Sequence, residues 1–245
     1  MKKYELTNET KEIYFGTKTL YRIKALKDFA EVKKGDLGGW VEKEDNLSQV
    51  GLCWVADEAM VFDNARVFGN AIVYGNAKVY GNASVFDNAI VNHHAVVCGY
   101  ANVYNNAFIN DFAQVYGNAT VFGYAQVYNL AIVYGKTRVF GNAMICGEAC
   151  ICGVAIVDNE AVVRGNATIS ENKDYVVFRN FWCGGRYFTW TRSNNMWCVD
   201  WLFGTGQELI DKAYEEDGEE SSREYQRIVN YVQDILGLPH LERTK

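Results

Sequence analysis

The chain has 245 residues, a net charge of −6 and a pI near 5.2, a balance that gives no footing for the phosphates of a nucleic-acid polymer. No stretch is apolar enough to cross a membrane, and Met1-Lys2-Lys3-Tyr4-Glu5 does not open a signal peptide, so a cytoplasmic protein is expected. The seven cysteines form an odd set without paired spacing, which predicts reduced thiols and neither a metal nor a cofactor.

Residues 1–46 are rich in charge. Tyr21-Arg22-Ile23-Lys24-Ala25-Leu26 alternates like a strand, and Lys34-Gly35-Asp36-Leu37-Gly38-Gly39-Trp40 is rich in turn residues. A stacked fold needs its first open edge covered, so this segment reads as an N-terminal cap. Near Val50 a hexad register slips before it locks at Val55.

From Val61 to Ile169 every sixth residue is Val or Ile, and from Ala59 to Ala167 every sixth is Ala, broken only by Thr137. The unit reads V-[YF]-G-N-A-x, as in Val73-Tyr74-Gly75-Asn76-Ala77-Lys78. Within it, A-x-V-[YF] alternates with period two, so Ala and Val share one side of a short strand. Gly-Asn then bends the chain, because both residues tolerate a positive φ. Such a strand cannot pair with itself. It must coil, so that each strand stacks on an equivalent one a turn later, about 4.8 Å away. A single proline suits a backbone whose amides are all needed for pairing.

On these residues, from about 47 to 172, the chain resembles the hexapeptide-repeat, left-handed parallel β-helix family, in which three hexads make one triangular coil. The resemblance implies an all-β solenoid, with residues 18 apart stacked. The outward positions then sort into three faces. One runs Arg66, Ser84, Asn102, Thr120, Arg138 and is polar; a second runs Lys78, Val96, Gln114, Ile132, Cys150 and is mixed. The third runs Ile72, Ile90, Phe108, Gln126, Met144, Val162 and is nearly all apolar. An outward apolar ladder marks an interface, and β-helices of this family often trimerise through such faces. A homotrimer joined along Ile72, Ile90, Phe108, Met144 and Val162 is therefore expected, with docking of the chain's own C-terminal region as the alternative. The outward aromatics Phe68, Phe86, Tyr104, Phe122, Phe140 and Phe62, Tyr80, Tyr116, Tyr134 form further ladders, read as structural.

One corner departs from Gly-Asn. Residues 92–94, 110–112 and 128–130 stack, and read Asn-His-His, Asn-Asp-Phe and Tyr-Asn-Leu. This places His93 one coil from Asp111, with Asn92 under Asn110, at the rim of the apolar face. In the acyltransferases of the family a corner histidine near a subunit boundary is the catalytic base. The resemblance thus offers His93, with Asp111, for acyl transfer. Those enzymes usually eject a long loop that walls the acceptor pocket, and this chain has none between Val55 and Ile169. His94, Phe112 and Leu130 read as residues of a subunit seam.

Beyond Ile169 the hexad stops. Residues 173–245 read as a small α+β domain of three strands, Tyr175 to Trp182, Arg186 to Arg192 and Met196 to Phe203, followed by two helices. Thr205-x-x-Glu208 and Ser221-x-x-Glu224 are capping boxes, and Gly237 ends the second helix. Arg186, Trp190 and Arg192 combine a ring with guanidinium groups that suit a base and a phosphate, against the alternative of a small core built from bulky rings.

The body, the Lys34–Trp40 segment and the Phe188-Thr189-Trp190-Thr191-Arg192 strand also resemble uncharacterised hexad-repeat proteins of bacteriophages and prophages. The expected function is a non-catalytic, oligomeric binding protein that sequesters a nucleotide signal or inhibits a host defence protein. Two places compete for the ligand: Asn92, His93, Asn110 and Asp111 at the corner, and Arg186, Trp190 and Arg192 in the C-terminal domain. The alternatives are an acyltransferase using His93 and a purely structural assembly protein.

Overall fold

The computed structural model describes residues 2–14, 16–182 and 184–243. Three antiparallel strands open the chain: β1 (Tyr4–Ile13), β2 (Lys18–Ala25) and β3 (Leu37–Val41). Then come twenty two-residue strands, from β4 (Trp54–Val55) to β23 (Thr168–Ile169), each beginning six residues after the last. They stack in three parallel sheets, in about seven coils, as the hexad requires. Ile90 pairs with Ile72 below and Phe108 above, and Asn102 lies between Ser84 and Thr120. The three faces sorted from the sequence are these three sheets.

The Ala and Val or Ile positions that recur every six residues point inward, with Thr137 in one alanine place, and from Val61 to Ile169 the recurring Val and Ile side chains are essentially fully buried. The core is a column whose members recur coil after coil, so stability accumulates by stacking. Each coil donates its amides to the next: Ile90 N–H to Ala107 O at 2.9 Å, Asn92 N–H to Ile109 O at 3.0 Å, His94 N–H to Asp111 O at 2.8 Å. At the corners the glycines sit with positive φ, as at Gly117 (71°), where an added Cβ would lie 2.9 Å from Gly135 N. Outside the column the aromatic ladders stack face to face, with Phe86 4.8 Å from both Phe68 and Tyr104.

The slip near Val50 is a two-residue insertion. Leu47 bridges Val67 and Val41 pairs with Val61, both 20 residues apart, whereas Val55 pairs with Val73 at the regular 18. The extra residues form a loop in which Val50 is 79% exposed. Because β3 pairs in parallel with β5 (Met60–Val61), the cap hairpin and one solenoid face are a single sheet of ten strands. Polar contacts lock this end. Tyr4 Oη donates toward Glu44 O (2.9 Å) and Leu47 O (2.7 Å). The Glu58 carboxylate takes Lys11 at 2.7 Å, Arg22 at 2.9 Å and Trp40 Nε1 at 3.0 Å. The Lys11 contact first, against the penalty of burial and with help from Arg22 and Trp40, holds that carboxyl down to about 2.

At the far end a four-stranded antiparallel sheet, β24 (Tyr175–Asn180), β25 (Arg186–Thr191), β26 (Met196–Val199) and β27 (Leu202–Gly204), packs beneath α1 (Gly206–Leu236). The expected third strand is thus two strands, reversed at Asp200, whose φ is 51°. That turn lacks Gly, Asn and Pro, and Asp200 was its one local signal. The two expected helices form one span interrupted at Gly218 (φ 84°, ψ −170°). The Thr205–Glu208 capping box is present, and Gly237 ends the span at φ 66°. Ser222, next to the serine expected to cap the second half, instead donates its hydroxyl to Ile210 O at 3.0 Å and ties the two halves together. Phe188, Trp190, Trp197 and Val199 on one side of the sheet form a core with Leu209, Ile210, Tyr225, Val229 and Val232. The other side faces the last coil, where side chains accept amides that no further coil can take, Asp174 Oδ2 from Ser170 N–H (2.8 Å) among them. Asn172 Oδ1 accepts from Ile156 N–H (2.8 Å), Thr189 Oγ1 from Val162 N–H (3.0 Å), and Ser193 Oγ from Thr168 N–H (2.7 Å).

Candidate functional site

The odd corner belongs to a vertical row that also contains Asp57, Gly75 and Gly147. His93, Asp111 and Asn129 occupy the glycine position with φ of 51°, 56° and 58°. In this row a short polar side chain reaches up to the amide stacked above it. Asp57 Oδ2 accepts from Gly75 N–H at 3.0 Å, and Asp111 Oδ2 from Asn129 N–H at 3.0 Å. An imidazole is too large for that contact. His93 instead turns outward, with Nδ1 in a short hydrogen bond to Asn110 Oδ1. Asp111 Oδ1 lies 3.7 Å from Nδ1, within ion-pair range of a protonated ring but beyond a hydrogen bond.

The structure therefore brings His93, Asn110 and Asp111 together, and the group that orients the ring is the Asn110 amide. Asp111 divides its carboxylate between the imidazole and Asn129, whose backbone and side-chain N–H groups both donate to Oδ2. Asn92 is not part of the open corner. It is 3% exposed and donates its amide to Tyr74 Oη at 2.6 Å, while its Oδ1 is buried without a hydrogen bond. The His93 side chain is 61% exposed. Chemically this is an oriented imidazole on an open surface, able to exchange a proton with a molecule held there by something else.

Beside it His94 stacks on Phe112, with ring centroids 4.9 Å apart. Phe112 and Leu130 are 55% and 53% exposed and project as an apolar ridge. The ridge borders the apolar face, where Ile72 is 39% exposed and Ile90, Phe108 and Met144 are half-buried. Trp54 begins this ladder, and the C-terminal sheet reaches its last rung through the Val162–Thr189 hydrogen bond. Trp54 was missed because it precedes the strict hexad, although its spacing from Ile72 was readable.

The C-terminal trio does not converge. Trp190 is 3% exposed, with Nε1 donating to Asn195 Oδ1 at 2.9 Å, so neither ring face is offered to a base. Arg186 Nη1 binds Asp217 at 2.6 Å and Tyr225 Oη at 2.8 Å, and its Nε lies 3.2 Å from Asp200. Arg192 is exposed at the far end of the strand, where its backbone N–H donates to Asp174 O. The exposed rings of this region include Trp182, Phe181 and Trp201, at 85%, 68% and 65%. Among the described residues no group of three or more His, Cys, Asp or Glu is placed to hold a metal ion, and no helix is long and apolar enough to cross a membrane.

Two segments within the coils, residues 59–75 and 113–129, match the YdcK β-solenoid repeat family. A protein of Escherichia coli K12 named uncharacterized acetyltransferase YdcK is 39% identical over 64 residues, 24% of this chain and 20% of that protein. The chain thus matches about a fifth of its relative's length. With the stacking described above, these similarities make the body of the protein a parallel β-solenoid of the hexapeptide-repeat type.

Proposed function

We propose that the protein is a non-catalytic binding protein that self-associates, as a trimer, through the apolar face and the ridge beside it. One observation carries the reading. The coils run from Trp54 to Ile169 without a segment leaving to wall a pocket, while Phe112 and Leu130 stand exposed next to Ile90 and Phe108. Large apolar side chains held outward on a rigid frame bury surface only against another molecule. Three copies around an axis would bring the His93–Asp111 corner to a subunit boundary in three equivalent places. The partner chemistry that fits is a protein surface rather than a nucleotide at the C-terminal trio, since Arg186 is already held by Asp217, Tyr225 and Asp200 and Trp190 is buried.

Light scattering on the purified chain tests the assembly. A trimer is expected, dissociated by Ile90→Asp and by Phe108→Asp, because either carboxylate would be buried without a partner. A monomer for the unsubstituted protein defeats the proposal. A second reading, acyl transfer, is favoured by His93 held between Asn110 and Asp111 and by the name of the Escherichia coli relative. It would win if acetyl-coenzyme A bound to the protein and His93→Ala abolished a measured transfer.

A further inference from the structure

The most anomalous side chain in the molecule is Lys3. It is fully buried, as is Cys53, 50 residues away in the chain. Lys3 Nζ donates to Cys53 O at 2.8 Å and lies 3.1 Å from Cys53 Sγ, with the Phe29 ring 5.3 Å distant. Among the described residues no carboxylate forms an ion pair with it. A buried ammonium without a counter-charge is costly, and the amine's way out is to lose its proton. Burial indeed pushes Lys3 below its ordinary value, with Lys27 adding to the fall and Cys53 opposing it. An amine that sheds its proton more readily is a better nucleophile, and here it is held against sulfur, with Nζ 3.1 Å from Sγ. The covering is thin. Cys53 Sγ faces Ser48 O (3.6 Å) and Val50 O (3.8 Å) of the inserted loop, whose Val50 and Leu52 are 79% and 46% exposed. Opening that loop admits a molecule as small as peroxide without unfolding a coil.

We propose that Lys3 and Cys53 are an oxidative modification site, at which hydrogen peroxide converts the pair into a covalent sulfur–nitrogen cross-link between the N-terminal strand and the first coil. In the first step the Cys53 thiol attacks peroxide. The O–O bond breaks, sulfur is oxidised to the sulfenic acid, and one oxygen leaves as water. In the second, the Lys3 nitrogen lone pair attacks that sulfur. The S–O bond breaks, and the hydroxyl departs with an amine proton as a second water. The sum is thiol plus amine plus one peroxide giving a sulfenamide and two waters, a net loss of two hydrogens from the protein. The bond closes a chain loop that contains the whole cap, so it should fasten the cap onto the first coil.

This inference is independent of the trimer, and its test does not involve assembly. The full chain is treated with hydrogen peroxide, alkylated under denaturing conditions, digested and mapped by mass spectrometry. The expected product joins the peptide holding Lys3 to the peptide holding Cys53, two hydrogens lighter than their sum, and is released by dithiothreitol. Mapping separates it from a disulfide of equal mass change elsewhere in the chain. It should be absent from Cys53→Ser and from Lys3→Arg, and the oxidised wild type should melt roughly 5 °C higher than the reduced. Should Lys3→Arg fail to fold, Cys53→Ser alone carries the control, since a hydroxyl still accepts from the amine. Recovery of Cys53 as a free thiol, as a sulfinic acid beside an unmodified Lys3, or in a disulfide overturns the proposal.

Discussion

The coils and the C-terminal sheet face the same problem, a backbone that must be paired, and meet it differently. Inside the solenoid every coil is the partner of the next, so backbone pairs with backbone and the outward side chains are free to vary. At the last coil there is no successor. Three side-chain oxygens, from Asn172, Thr189 and Ser193, take the amides of Ile156, Val162 and Thr168. A repeat satisfies itself only where it repeats, and its end needs particular residues in particular places. The same oxygens, backed by a sheet and helix, cover part of the strand edge on which another chain could stack.

The largest effect expected from this comparison lies in the column. Val103→Asp puts a carboxylate where nothing can pair with it and should cost about 4 kcal/mol or more, whereas Asn102→Asp, one residue away and outward, should change stability by about 0.5 kcal/mol or less. Thermal melts of the two variants measure the contrast, and equal losses would mean that inward and outward are wrongly assigned. A smaller effect separates two glycines of nearly the same φ. Gly117→Ala should cost about 2–3 kcal/mol, because its Cβ meets the backbone of Gly135 at 2.9 Å, and a stacked corner cannot give way. Gly184→Ala, with φ 69° but nothing within 4 Å, should cost only about 1 kcal/mol. Chemical denaturation reads both, and parity between them would show that backbone strain alone, not coil stacking, sets the cost. The smallest effect sharpens the account of the end. Ser193→Ala should lose about 1 kcal/mol and speed hydrogen exchange at the Thr168 amide, leaving the Asn102 amide unchanged. Unaltered exchange at Thr168 would remove the serine from its capping role.

Much of this was readable beforehand, for a physical reason. Residues 18 apart touch, so the sequence itself states which side chains are neighbours, and the three ladders could be sorted before any coordinates. The corner was readable to the same depth. The order of residues put His93 under Asp111, but not which neighbour would hold the ring. That choice fell to Asn110 because Asp111 already serves the amide of Asn129. In the C-terminal region no period helps. Arg186 and Trp190 looked like a ligand site because both sit in one strand, yet each found its partner elsewhere in the fold, Asp217 and Tyr225 for the one and the helix-packed core for the other. The reversal at Asp200 carried a single aspartate flanked by Val199 and Trp201, too little to stand out inside an apolar run.

The sequence by itself determined the solenoid, its register, its inward column and the composition of its three faces, because a strict hexad converts chain position into spatial position. Only the tertiary structure decided the contacts that occur once. The cap closes on Glu58, Lys3 reaches Cys53 across 50 residues, and Thr189 and Ser193 meet the last coil. Each depends on two distant segments arriving together with the right rotamers, and no period in the chain encodes that meeting.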